Sequence, residues 1–214
     1  MPKTRKNIQS EKSRAAILAA TMDLISKHGF SGTTVDKIAY EAGLSKGSIF
    51  WHFNNKEKLF IAVIETIRNG LLQGLSVGQA NTLTCKERLN LLLDNYAALI
   101  EADCSRCLDL TVLIIEMVET NPELAGRLRD LFSELAELLT ALLDEAKERG
   151  EVRGDIDTRM TAYAIVGNLQ GMTVQYYLNR DRLEYQPIMK AYKKLMLDGL
   201  FLCEKRQRMR PTIL

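Results

Sequence analysis

Residues 31–53 read SGTTVDKIAYEAGLSKGSIFWHF, and their spacing predicts two short helices joined by a glycine-containing turn. Val35, Ile38 and Ala39 recur on one helical face. Thr33, with Asp36 three residues on, resembles a capping box, so the first helix begins near Val35. Gly43 is placed to take the left-handed conformation that ends a helix, Leu44 to plug the angle between the two, and Ser45 to cap the second. That second helix carries Lys46, Gly47 and Ser48 in its first turn, with Ile49, Phe50 and Phe53 to hold it on the domain. Such a pair is the layout of a helix-turn-helix, whose second helix offers its start to base edges and phosphates.

Charge runs the same way. Residues 1–60 hold ten Lys/Arg against five Asp/Glu, a net +5, while the other 154 residues carry −3. The first 14 residues alone contain Lys3, Arg5, Lys6, Lys12 and Arg14 against Glu11. This reads as a polar arm that lies along a phosphate backbone or enters a minor groove, or else as a solvating tail.

From Ile17 to Phe60 the chain resembles the TetR family of one-component transcriptional regulators. The residues that carry the likeness are Ile17, Leu18, Ala20, Leu24, Gly29-Phe30, Thr33-Thr34-Val35, Ile38-Ala39, Ala42-Gly43-Leu44-Ser45, Gly47, His52-Phe53, Lys56-Glu57 and Leu59. Within the family, Ser48-Ile49-Phe50-Trp51-His52-Phe53 looks most like repressors of multidrug efflux genes. Phe50 stands where many members have Tyr, and a phenyl ring lacks the hydroxyl that bonds a phosphate. Phosphate anchoring therefore passes to Trp51, whose indole N–H is a donor, His52 and Lys56, together with Thr33 and Thr34. Lys46 and Ser48 are the candidates for base edges, Gly47 for close approach of backbone to DNA, and Ser45 for the turn that aims them. The bland reading of Phe50, Trp51 and Phe53 is that they are core aromatics; it suits Phe53 best and Trp51 least.

The rest of the chain reads as helices. Asn55 caps a helix from Lys56 to about Leu75, and Thr84 with Glu87 opens another to about Ala102. Others are expected from about Cys107 to Glu119, from Asn121-Pro122 to about Arg149, from Asp157 to about Asn179, and from Pro187 to about Glu204. No stretch alternates with the period of a strand, so the fold class is all-α. The expected organisation is residues 1–55 as N-terminal arm and DNA-binding domain, a three-helix head with the helix-turn-helix. Residues 56–204 follow as a helical effector-binding and dimerisation body, and 205–214 as a basic tail.

The last two helices are apolar over more than one face, which asks for partners on two sides. A second copy of the chain would cover the surplus through a four-helix, two-fold interface at Ile165, Leu169, Met172, Tyr176, Tyr192, Leu195, Met196 and Leu200, with Gly167 and Gly171 allowing close approach. A homodimer is also what the resemblance implies. So is a small-molecule effector, for which Tyr96, Leu110, Leu113, Ile114, Met117, Phe132, Leu135, Asn168 and Met172 are candidate contacts. Most of these need no role beyond core packing, whereas an amide such as Asn168 on an apolar helix needs a polar partner. The expected partners are thus a near-palindromic double-stranded operator, a second copy and an apolar or amphipathic effector that releases the DNA, with no cofactor, metal or membrane.

Other classes find little support. Cys104-Ser105-Arg106-Cys107 would suit a redox or metal-responsive switch, but it lacks a second cysteine pair, and the only histidines, His28 and His52, lie in the head. Four cysteines at irregular spacing do not make a disulfide scaffold, so a reducing cytoplasm is expected. There is no Gly-rich phosphate loop, Gly-x-Ser-x-Gly elbow or His-Glu-x-x-His pair, which excludes the common enzyme motifs. A nonspecific DNA-compacting protein would have no use for a long apolar body, and an activator of the same fold stays open beside a repressor.

Overall fold

The computed structural model describes residues 5–76, 83–102 and 110–201. Among them nine helices follow in order: α1 (Arg5–Gly32), α2 (Val35–Glu41), α3 (Lys46–Phe53), α4 (Lys56–Ser76), α5 (Cys85–Ala102), α6 (Leu110–Thr120), α7 (Pro122–Glu148), α8 (Thr158–Leu178) and α9 (Tyr185–Leu200). The β contact among the described residues is one isolated antiparallel bridge, Val152 to Phe201, beside which the Arg153 N–H donates to the Leu200 carbonyl. The described residues fall into two compact units, drawn from Met1–Gly70 with Asp103–Asp130 and from Leu71–Ala102 with Leu131–Leu214. The first unit thus runs past residue 55 to Gly70 and takes in α6. The helix α6 belongs with the head: it packs on α1, with Leu113 and Met117 buried.

In the first unit α1 begins at Arg5, so the expected N-terminal arm is helical as far as it is described. Residues 5–14 contain neither Gly nor Pro and continue into the apolar stripe of Ile17, Leu18, Leu24 and Ile25, all buried. Ile38, Ile49, Phe53, Leu59, Phe60 and Val63 complete this core, each such side chain contributing about 1.5–3 kcal/mol when taken from water. The turn after α2 closes as expected. Gly43 sits at φ 62°, its N–H donates to the Tyr40 carbonyl, and the Leu44 N–H donates to that of Ala39. This paired arrangement satisfies the helix end and requires a residue that tolerates positive φ.

The start of α2 differs by one residue from the expectation. Its cap is Thr34, whose Oγ1 accepts the Lys37 N–H at 3.3 Å. Thr33 is fully buried, and its hydroxyl donates to the Gly29 carbonyl at 2.7 Å.

In the second unit the capping box of α5 forms: the Thr84 N–H donates to Glu87 Oε2 and the Glu87 N–H to Thr84 Oγ1. Asp157 caps α8 by accepting the Met160 N–H. The helix α9 starts at Tyr185, two residues ahead of Pro187, because Tyr185 is buried against α5 and α8 neighbours and the missing proline N–H falls in the first turn, where it has no helical partner anyway. Tyr96 and Tyr185 lie within hydrogen-bond distance of Thr173, at 3.0 and 3.3 Å, joining α5, α8 and α9 through hydroxyls. Three positions expected at a partner's surface, Ile165, Leu169 and Leu200, are instead buried in the chain's own core. Helical spacing identifies an apolar face without saying which neighbour covers it.

Candidate nucleic-acid interface

The helix α3 buries two residues, half-buries Ser48 and His52, and exposes the other four. Ile49 and Phe53 are buried, whereas Lys46, Gly47, Phe50 and Trp51 are exposed. Residues 49 and 53 are one turn apart, so a single edge anchors the helix and its start and opposite face remain open. Ser45 caps α3, its Oγ accepting the Ser48 N–H at 3.1 Å and lying 3.0 Å from the Ser48 hydroxyl. Lys46 projects from the first turn and pairs with Asp36 at 2.8 Å, with both side chains largely in water. Exposed pairs of this kind contribute at most about 1 kcal/mol, so a phosphate or base edge can displace Asp36.

Gly47 has ample room on its own side. A Cβ there would lie 3.7 Å from Ser45 Oγ, an ordinary contact, so nothing within the chain demands glycine. Trp51 is 71% exposed and packs edge-on against His52 at 4.6 Å between ring centroids. His52 is half-buried; burial, and secondarily the nearby charge of Arg14, hold its pKa below the ordinary histidine value. The shift favours the neutral imidazole, which can donate one N–H. Arg14 lies over the Phe53 ring at 5.3 Å, bringing a cation of α1 beside α3.

Two residues expected at phosphates are engaged within the chain instead. Thr33 is buried, as described above. Lys56 turns inward: its Nζ donates to the Phe30 carbonyl at 2.6 Å and sits 4.0 Å from the Phe30 ring centroid. Burial lowers its pKa, partly countered by Glu57 and Glu116. A lysine at a helix start announces charge, but the sequence does not say whether the ammonium faces solvent or a carbonyl 26 residues away. Conversely, Tyr40 escaped the sequence reading although it is 88% exposed on α2. With Val35, Ile38 and Ala39 facing the core side, residue 40 belongs to the outer face, so the helical wheel already contained it.

The candidate effector contacts are distributed over both units. Leu113 and Met117 are buried in the first unit, where Ile114 is half-buried and Leu110 opens α6. In the second unit Leu135 is buried and Tyr96, Phe132 and Met172 are half-buried. Asn168 is exposed, its amide donating to the Ala164 carbonyl at 2.8 Å. It satisfies its polarity on its own helix and does not point into an interior.

Of the remaining candidate interface residues, Leu195 is 76% exposed, while Tyr176, Tyr192 and Met196 are half-buried. Around them α8 exposes Met160, Tyr163, Gly167, Gly171 and Leu178 on one stripe, with open space around the two glycines. Cys104, Cys107 and the tail from 205 onward lie outside the described residues. No helix among the described residues is long and apolar enough to cross a membrane.

Two family models match this chain. Residues 17–63 match that of the bacterial regulatory proteins of the tetR family, and residues 85–192 that of the tetracyclin repressor-like C-terminal domain. A similar curated protein is the fatty acid metabolism regulator protein of Bacillus subtilis, 22% identical over 184 residues and covering 86% of this chain and 93% of the relative. Among solved structures, the fatty acid degradation regulator FadR from Bacillus halodurans superposes with a TM-score of 0.78 at 24% identity, covering 93% of this chain and 98% of that one. FadR from Bacillus subtilis in complex with stearoyl-CoA gives 0.75 at 23%, covering 86% and 98%.

Proposed function

Since the chain belongs to the TetR family and is thus a ligand-responsive, DNA-binding transcriptional regulator that pairs as a dimer on its operator, we propose that α3 reads the operator and that an amphipathic effector releases it. The observation that carries this reading is the division of α3 into a buried edge, Ile49 and Phe53, and an exposed start at Lys46 and Gly47. Lys46 and Ser48 reach base edges, and Gly47 lets the backbone approach closely. Thr34, Trp51, His52 and the newly found Tyr40 contact phosphates through N–H and O–H donors. Two such helices related by a two-fold axis enter successive major grooves about 34 Å apart, so the operator is a near-palindrome.

The exposed stripe of α8, with Leu195 of α9, is the surface we assign to the second copy. Gly167 and Gly171 present open space where another helix can approach, and Met160, Tyr163 and Leu178 supply apolar area. For the effector we favour a molecule with a long apolar tail and a charged head, of which an acyl-CoA thioester is the first to try, because a similar fold holds stearoyl-CoA. We place its tail in the second unit beside Tyr96, Phe132 and Met172, each of them half-buried. The chain acts in the cytoplasm, where the chromosome is, and has no catalytic role.

Selection of bound sequences from a random duplex library at near-physiological salt tests the reading. An inverted repeat is expected, and acyl-CoA of graded chain length should then release it. Binding that merely strengthens as salt falls, with no sequence enriched, would overturn the sequence-specific regulator in favour of nonspecific DNA binding.

A further inference from the structure

The helix α1 breaks at Gly29, at φ 66° and ψ −174°. The next two backbone N–H groups turn to the same side and meet one carboxylate from α6. The Phe30 N–H donates to Glu116 Oε2 at 3.0 Å, and the Ser31 N–H to Oε1 at 2.9 Å. The Ser31 hydroxyl adds a third bond at 2.5 Å. Successive N–H groups after a left-handed residue form a concavity suited to an anion, and here the chain fills it with its own side chain.

The fit is close as well as polar. The positive φ at residue 29 favours glycine, and a Cβ there would lie 3.0 Å from Glu116 Oε2, close enough that the carboxylate would have to shift by a few tenths of an ångström. From the other side Lys56 holds the Phe30 carbonyl, and Thr33 holds the Gly29 carbonyl. The peptide groups from 29 to 31 are thereby tied from three directions. Only Gly32 and Thr33 separate this knot from Thr34, the cap of α2.

We propose that Glu116 is a positioning residue for operator recognition: its carboxylate, seated in the Gly29–Ser31 nest, fixes the angle at which the helix-turn-helix leaves α1. The proposal rests on the DNA-reading role assigned to α3. Glu116 is not needed to fill a core, since the buried face of α6 is Leu113 and Met117 while Ile115 and Val118 beside it are exposed. Through Asn121 and Pro122, α6 leads into α7, which runs on to Glu148 in the second unit.

The test compares wild type, E116A and E116Q, all shown by circular dichroism to be folded at the assay temperature. Amide exchange is read at residues 30 and 31, and binding is measured to the selected operator and to random duplex. Losing bonds to a charged acceptor should weaken operator binding about 10- to 100-fold in E116A, with random-duplex affinity unchanged and exchange faster at Phe30 and Ser31. E116Q keeps one acceptor oxygen and should fall between. Unchanged operator affinity in folded E116A, or an equal loss on both DNAs, overturns the proposal. If E116A does not fold, E116Q alone decides by the same criteria. The exchange readout needs no DNA, so a clamp that forms in a wild type with no operator would mark the failure of the DNA-reading role, and an absent clamp in a wild type with an operator the failure of this one.

Discussion

Replacing Lys56 by Met separates two roles that its charge alone does not distinguish. Methionine keeps most of the unbranched stem and removes the ammonium, which in the native chain donates to the Phe30 carbonyl at 2.6 Å and rests against the Phe30 and Phe60 rings. A hydrogen bond from a charged donor is worth about 1.5–3 kcal/mol, and the lower end applies because this ammonium keeps some contact with water. Its place over the rings adds about 0.5–1 kcal/mol. The sum is about 2 kcal/mol, which for a chain of this length lowers Tm by roughly 4–8 °C. Calorimetry of K56M measures that fall. Operator affinity, titrated across a salt series, gives the second number. A lysine lost from a phosphate would flatten the slope of log K against log salt by about 0.9 for each head. The inward geometry predicts no change in slope, although the affinity itself drops if the knot at 29–31 loosens. A Tm held at the wild-type value together with a flattened slope would refute the reasoning and return Lys56 to the phosphate backbone.

Ser45→Ala removes the cap of α3 and should cost about 1 kcal/mol in urea denaturation; a wild-type midpoint would show the Ser45 to Ser48 bond to be dispensable. Trp51→Ala should leave stability within about 0.5 kcal/mol of wild type, as for an exposed residue, while operator binding measured by anisotropy weakens; a collapse of Tm would make it a core residue instead. Leu195→Glu places a charge on the surface assigned to the second copy, so sedimentation should show monomers with unchanged helicity, and persistent dimers would move the interface elsewhere. For Glu116, burial is the largest single influence and raises the pKa, but the bonds from Ser31 and Phe30 and the charge of Lys56 together hold it below the ordinary carboxylate range. A depressed native value means that the unfolded chain binds more protons. The stability it contributes is complete above the unfolded glutamate value and is lost as pH falls through the native one. Urea midpoints followed from neutral into acid pH should therefore decline less in E116Q than in wild type, and parallel declines would count against the carboxylate.

Local chemistry was legible where a residue satisfies a neighbour a few positions away. Ser45, Asn55, Thr84 with Glu87, Asn121 and Asp157 all cap as their spacing indicates, and Gly43 takes the positive φ expected of it. Thr33 and Thr34 were harder to separate, since either hydroxyl is one residue from the right place and only the burial of Thr33 decides. The direction of Lys56, the outward turn of Asn168 and the inward placement of Ile165, Leu169 and Leu200 depend on which distant surface lies opposite. Periodicity carries no such information. The Glu116 clamp spans 85 residues, and its one local trace is Gly29, which a family resemblance marks as typical without saying what it accommodates.

Cys85 makes the second unit able to report on itself. Its thiol is buried, 3.6 Å from the Leu142 carbonyl, and burial together with neighbouring Glu151 pushes its pKa up to about 12. At neutral pH an alkylating reagent finds almost no thiolate there until the surrounding helices part. Carboxamidomethylation at this one position, followed by the mass of its peptide, is thus an internal stopwatch for opening events. An effector seated among the same helices slows that stopwatch by the factor with which it stabilises the closed unit, so ligands can be ranked before any operator is known.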